Sequence, residues 1–240
     1  MTGTPEVPST TLSIWQQNLN TSLTAQHFLL NGPTVAKRNI YALQEPHINK
    51  LGNTFCLCPF YPVYPSMQFT DESSHYRAIT LISTKLNTNY WKQIPFPSRD
   101  VVIIQFSGPF SNCTLINIYN DVHSNETLTM LSNFLETNSH TIYPHDTDHL
   151  ICLGNFNRHH LVWEDERNSH LLTAHYLEHA QLLINLLADY SLFMLLPKDY
   201  PTLQVSNTKN WTRVDNFFAL TTPLSALLSA PPTQINTAQP

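Results

Sequence analysis

The segment Leu150-Ile151-Cys152-Leu153-Gly154-Asn155-Phe156-Asn157 carries four apolar residues into a glycine and then into two amides spaced one residue apart. A short apolar run closed by Gly reads as a buried strand that ends and turns at a cleft. Side chains at i and i+2 of an extended segment project to the same side, so Asn155 and Asn157 can act on one substrate. Asn18, Glu45, Tyr119 and Asp215 share this setting, each lying at the end of its own apolar run.

The 240 residues, 42% apolar, are enough for one two-layer domain with a substantial core. Only 12% are charged, about half the usual share, so neutral polar groups must cover most of the surface. A formal charge of −5 with 12 Lys plus Arg argues against a general nucleic-acid coat protein, whose affinity comes from many cation contacts with phosphates. A metal-bridged active site is still able to take a phosphodiester. Cys56, Cys58, Cys113 and Cys152 form no pair of CxxC units and are expected as reduced, buried thiols. No run reaches the roughly 18 apolar residues of a membrane span, and Met1 to Thr11 is polar and lacks a signal-peptide pattern. An intracellular protein without membrane partners is expected.

Along the chain, Leu12 to Asn18 alternates apolar and polar and reads as a strand. Residues 22 to 37 read as a helix capped by Ser22 or Thr24 and broken at Gly32-Pro33. Strands are expected over Asn39 to Glu45, Ala78 to Ser83, Val101 to Phe106, Cys113 to Tyr119 and Leu150 to Leu153, with a short helix over Leu128 to Thr137. The strongest helix spans Leu171 to Leu187, where Tyr176, Leu177, Ala180, Leu183, Ile184 and Leu187 form an apolar stripe. Tyr200 to Leu203 and Thr212 to Phe218 read as two late strands joined by a turn. Pro223 to Pro240, rich in Ser, Pro, Ala and Thr, is expected to be a disordered tail after a domain over 12 to 222. Strands with intervening helices predict two packed sheets with helices outside, an α/β sandwich.

Glu45 closes an apolar strand, where a buried carboxylate needs a cation or a metal. A hard ion such as Mg²⁺ takes one or two carboxylates, other oxygens and water, and Glu45 with the Asn18 amide oxygen supplies such a set. Taken singly, each residue has a plainer reading: Glu45 as an exposed strand-end carboxylate, Asp215 as the partner of Arg213 in a salt bridge, and Tyr119 as a strand-end residue with its hydroxyl in water.

The joint order is the stronger signal. Asn18 ends the first strand, Gln44-Glu45 follows the second, and Asn117-x-Tyr119, Gly154-Asn155-x-Asn157, Pro201-Thr202 and Arg213-x-Asp215 come after. This order, over roughly residues 12 to 220, resembles the endonuclease/exonuclease/phosphatase superfamily, a four-layer, two-sheet α/β sandwich. The stretches Gly154 to His160 with Trp163, and Asn210 to Asn216, resemble in particular the apurinic-endonuclease-like domain of LINE-type, non-long-terminal-repeat retrotransposons. The resemblance implies that Asn18 and Glu45 hold Mg²⁺ or Mn²⁺, and that Tyr119 and Asn157 donate to phosphate oxygens. It further implies that position 155 orients and deprotonates water, that Thr202 contacts the substrate strand, and that Asp215 orients a phosphate-binding histidine. The implied partner is the DNA backbone, with a fused reverse transcriptase in full-length relatives and no organic cofactor.

Two departures bear on activity. The family has Asp where this chain has Asn155, and an amide accepts no proton at neutral pH. No histidine follows His179, so the family's C-terminal Asp-His segment is missing. The expectation is therefore a degenerate copy with weak or no nicking activity. Two other readings stand beside it: a non-catalytic module that binds DNA or a partner, and a zinc domain built on His175 and His179, one helical turn apart among His159, His160 and His170.

Overall fold

The structure is a computed structural model that describes residues 12–57, 59–67, 75–108, 111–204 and 208–220. The expected tail over 223–240 lies outside the described residues. In the first sheet, β1 (Ile14–Asn18) runs parallel to β2 (Ile40–Gln44). β3 (Phe60–Val63) and β4 (Ala78–Ser83) complete it in the order β1-β2-β4-β3. The second sheet contains β5 (Trp91–Ile94), β6 (Val101–Ser107), β7 (Asn112–Tyr119), β8 (His149–Asn155), β9 (Leu192–Met194) and β12 (Asp215–Leu220). Its order is β5-β6-β7-β8-β12-β9, with β7 and β8 parallel and the remaining pairs antiparallel. β10 (Leu203–Gln204) and β11 (Trp211–Thr212) pair as a separate two-residue hairpin.

The period-two alternation of strand side chains builds three apolar layers. Ile40 and Ala42 of β2 meet Val102, Ile104, Leu115, Ile151, Leu153 and Ala219 between the sheets. Tyr41, Leu43, Ile79 and Leu81 point outward to Leu30 of α1 (Leu23–Leu30). On the far side, Ile103, Ile116, Leu150 and Phe218 pack against Leu131 and Leu135 of α2 (Glu126–Ile142) and Leu183 and Leu186 of α3 (Ala174–Asp189). The result is the expected four-layer α/β sandwich. Among the described residues, no helix is long and apolar enough to cross a membrane. Cys113 and Cys152 are free thiols, and burial pushes both up to about 12.

Local signals explain most boundaries. Ser22 caps α1, its Oγ accepting the Ala25 N–H at 3.2 Å, and the helix stops before Gly32-Pro33. α3 starts at Ala174 rather than Leu171, because Thr173 is its cap and residues Glu166–Leu171 form a separate 3-10 turn. α2 outruns the expected Leu128 to Thr137: its last turns are polar, yet Leu135 and Ile142, seven residues apart, both bury against the sheet. Thr212 to Phe218 is not one strand; it divides into β11 and β12 around Arg213-Val214.

Within the inter-sheet layer, Gln44 and Asn117 are fully buried amides. Gln44 Nε2 donates to Asn117 Oδ1 at 2.6 Å, while Asn117 Nδ2 donates to the Ile79 carbonyl at 2.8 Å and to Thr80 Oγ1 at 3.2 Å. The bridge lies near the end of the sandwich where β7 and β8 close together. There Gly154 pairs with Ile118 at φ +140°, and a Cβ at Gly154 would stand 2.0 Å from the Ile118 carbonyl oxygen. Both the backbone angle and the space require glycine. Gly154→Ala is therefore expected to cost at least about 3 kcal/mol of stability, read as a lowered urea midpoint relative to the unmodified chain.

Candidate active site

Strand direction brings the ends of β1, β2, β7 and β8 to one edge of the sandwich, beside the start of β12. On β1, Gln16 and Asn18 follow Ile14 at two-residue spacing, so the face that packs on the core turns polar at its end. The same change occurs on β7, from Leu115 to Asn117 and Tyr119, and on β8, from Leu153 to Asn155. Asp215 opens β12 directly opposite Asn155, and Tyr119 pairs with Asn155 from the other side. A hydrogen-bonded chain links these strands. Gln16 Nε2 donates to Gln44 Oε1 at 2.7 Å and to Asp215 Oδ1 at 3.1 Å, and Gln44 continues to Asn117.

Glu45, next along from Gln44, turns the chain with φ +44°, and its carboxylate lies near enough to act on the Tyr119 hydroxyl. Tyr119 is thus 7% exposed and not the water-facing residue of the plainer reading. Burial and the Glu45 charge push its hydroxyl up to about 12, which keeps it a proton donor at any ordinary pH. Asn20 at φ +47°, Thr21 at +56° and Asn157 at +49° are also left-handed. Backbone of this kind collects where surrounding structure over-determines the chain. Here the Thr21 N–H donates to the Glu45 carbonyl at 2.8 Å, locking one turn against the other.

Asn157 is held by its neighbours: its N–H donates to Asn155 Oδ1 at 2.9 Å and its Nδ2 to the Asn120 carbonyl at 2.8 Å. Asn18 Oδ1 accepts the Asn20 N–H at 2.8 Å, which leaves one lone pair of that oxygen. Thr202 is buried, and its Oγ1 accepts the N–H groups of Val214 at 3.2 Å and Asp215 at 3.1 Å. Arg213 does not pair with Asp215 as the plainer reading has it. Its Nη1 donates to the Pro197 carbonyl at 2.5 Å, and its backbone N–H meets both Glu164 oxygens at 3.2 Å.

Three charged residues at strand ends were not singled out from the sequence. Arg77, just before β4, donates to Asp100 through Nε at 2.8 Å and Nη2 at 2.6 Å, pairs with Asp121 through Nη1, and lies over the Tyr119 ring at 4.6 Å. Asp100 directly precedes β6 and Asp121 follows β7 by two residues. A charge bordering an apolar run was the available signal, the same one that marked Glu45.

Oxygen donors dominate this edge. Among the described residues, no three His, Cys, Asp or Glu side chains stand close enough to share a metal ion. His175 and His179, the pair behind the zinc reading, have ring centroids 4.1 Å apart. Mg²⁺ needs only one or two carboxylates with neutral oxygens and water, and Glu45 beside Asn18 and Asp215 fits that chemistry. Two hollows, of 430 Å³ beside Trp163, Tyr200 and Trp211 and of 500 Å³ beside Tyr64 and Trp91, do not include Glu45, Asn157 or Asp215.

The family described as "Endonuclease-reverse transcriptase" matches residues 113–231, which contain Tyr119, Asn155, Asn157 and Asp215. No curated protein matches the chain. Among solved structures, the endonuclease domain of TRAS1, a telomere-specific non-LTR retrotransposon, is similar at a TM-score of 0.62 and 17% identity, over 86% of this chain and 84% of that one. AP endonuclease LMAP from Leishmania major is similar at 0.63 and 12% identity, over 88% and 79%. An endonuclease/exonuclease/phosphatase family protein from Leptotrichia buccalis gives 0.54 and 12% identity, over 88% of each chain. The chain has the fold of endonuclease/exonuclease/phosphatase proteins. Within that class, it is the endonucleases associated with reverse transcriptases that it resembles.

Asp215 shows how crowded the edge is. Burial, reinforced by the Glu45 charge, pushes its carboxyl up to about 6, although Thr202 nearby and the hydrogen bond from Gln16 act the other way. With the folded value above the unfolded one, the folded chain binds this proton more tightly. Stability therefore rises as pH falls through about 6 toward the ordinary carboxylate value near 4. Ionised Asp215 is then destabilising at neutral pH, by on the order of 2–3 kcal/mol for the shift to about 6. Asp215→Asn is expected to raise the urea midpoint at pH 7.5 and to lose most of that advantage at pH 4.5.

Proposed function

We propose that this chain is a metal-dependent phosphodiesterase domain, a DNA endonuclease of retrotransposon type whose nicking activity is weak or absent because of Asn155. The observation that carries the reading is the hydrogen-bonded chain from Gln16 and Gln44 to Asp215 and Asn117, which joins the two sheets and sets Glu45, Tyr119, Asn155, Asn157 and Asp215 at one edge. The family match and the retrotransposon endonuclease among similar structures support DNA as the substrate. A reverse transcriptase fused to the domain belongs to the same reading.

Glu45 and Asn18 would hold Mg²⁺ or Mn²⁺, and an ion bound there would supply Lewis-acid polarisation of a phosphoryl oxygen. Tyr119, kept protonated, and Asn157, aimed by Asn155 and Asn120, donate to phosphate oxygens as their negative charge grows. Asn155 orients water but cannot take its proton. Thr202, whose Oγ1 accepts the Asp215 N–H beside the site, would contact the substrate strand. Asp215 in turn aligns Gln16 and, through it, Gln44.

Plasmid nicking in Mg²⁺ tests this reading. The unmodified chain is expected near background. Asn155→Asp restores a proton acceptor but sets a carboxylate opposite Asp215, so its gain, about 10-fold, requires the metal and disappears with Glu45→Ala. Robust nicking by the unmodified chain that survives Glu45→Ala would refute both the mechanism and the impairment. Nicking at background in every variant, with Mg²⁺ still raising the melting temperature of the chain but not of its Glu45→Ala form, would favour a non-catalytic module on the same scaffold.

A further inference from the structure

Arg77 directly precedes β4 of the first sheet, yet its bonds reach both halves of the candidate site. Its carbonyl accepts the Glu45 N–H at 2.8 Å, so the backbone of Arg77 holds the turn that carries the candidate metal ligand. Its side chain crosses to the second sheet. Nε and Nη2 donate to the two Asp100 oxygens at 2.8 and 2.6 Å, a bidentate fork, and Nη1 donates to Asp121. The guanidinium carbon lies over the Tyr119 ring, 4.6 Å from its centre.

Each of these partners leads back to a proposed phosphate donor. The Asp100 carbonyl accepts the Tyr119 N–H at 2.8 Å, so Arg77 holds Tyr119 by the face of its ring and also through the residue that pairs with its backbone. Asp121 follows Asn120, whose carbonyl accepts Asn157 Nδ2 at 2.8 Å and whose N–H donates to the Asn155 carbonyl at 2.8 Å. Arg77 itself is poorly placed to meet a phosphate. Its Nε, Nη1 and Nη2 each already donate to a carboxylate, and Arg77, Asp100 and Asp121 together carry a net negative charge. Asp100 is buried, where a carboxylate without a cation is costly, so the fork is held closed.

We infer that Arg77 is a positioning residue, which sets the Tyr119 hydroxyl at a fixed place relative to Glu45 and acts on substrate only through Tyr119 and the Asn120–Asn157 bond. The inference rests on the DNA reading of the site and adds the residue that joins its metal-binding half to its phosphate-binding half. The Gln44–Asn117 bridge fixes the two strands, but the phenol of Tyr119 stands two residues farther along β7 and still needs a wall against its ring. Arg77 supplies that wall. A bidentate fork fixes the plane of the guanidinium as well as its position, which the single ammonium of a lysine does not do.

The test is the affinity of the full chain for a short fluorescent duplex in Mg²⁺, read by anisotropy beside the urea midpoint of each variant. Arg77→Met alone leaves Asp100 buried without a cation, so it is combined with Asp100→Asn. Arg77→Met/Asp100→Asn, shown to be folded by circular dichroism, is expected to bind about 10-fold more weakly, the effect of about one charge-assisted hydrogen bond. Arg77→Lys, which keeps the charge but not the fork, is expected to lose about as much. Tyr119→Phe is expected to weaken binding about 10-fold in the unmodified chain and by no more than about 2-fold in either Arg77 variant, because there the hydroxyl is already displaced. A lowered urea midpoint with unchanged affinity, full affinity in Arg77→Lys, or losses that multiply when Tyr119→Phe is added overturns the positioning role and leaves the DNA reading standing. Absence of duplex binding by the unmodified chain overturns both.

Discussion

The hydrogen bond between Gln44 and Asn117 joins two fully buried amides that belong to different sheets. Apolar packing between the sheets is non-directional, and Ile, Leu and Val side chains tolerate sliding. The amide pair does not, because each lost hydrogen bond would strand a donor or acceptor away from water at about 1–3 kcal/mol. Its consequence is positional. Glu45 is the residue after Gln44 and Tyr119 is the second after Asn117, so fixing the amide pair brings carboxylate and hydroxyl to one spot. Gln16 extends the same chain to Asp215, and Arg77 repeats the tie with full charges, holding Asp100 and Asp121 from the second sheet.

Charge at this edge is arranged against itself. Glu45 and Asp215 approach closely enough for one to hinder ionisation of the other, and position 155 faces Asp215 directly across the ladder. Carboxylates at 45, 155 and 215 together would demand a cation, while an amide at 155 lets the fold stand with less opposition. An amide rather than a carboxylate at 155 therefore eases folding. Asn155 also holds its neighbour in place, its Oδ1 receiving the Asn157 N–H.

The central strands were legible in the sequence because their burial on both sides writes long apolar runs: Ala78 to Ser83, Val101 to Phe106 and Leu150 to Leu153 appear nearly as expected. The three strands that escaped, β3, β5 and β9, are all sheet edges. Edge strands are short and mixed in polarity, and β3 carries Pro62, so neither alternation nor apolar content marks them. At the site, Glu45, Tyr119 and Asp215 were legible as polar residues closing apolar runs. The salt bridge expected between Arg213 and Asp215 was not formed, because adjacent alternate positions on a strand say nothing of Pro197 and Glu164, which reach Arg213 from distant loops. Arg77 was missed for a related reason: its importance lies in Asp100 and Asp121, 23 and 44 residues away.

The left-handed turn at Glu45 sets folding preference against chemistry at a single residue. Glycine there would release backbone strain and abolish repulsion of Asp215, both in favour of a tighter fold. No such reward awaits change at Leu43 or Ala42, where any substitution disturbs a filled layer. A change at residue 45 thus alters the charge of the edge and eases the fold together, whereas a change at Leu43 or Ala42 reaches only the packing behind it.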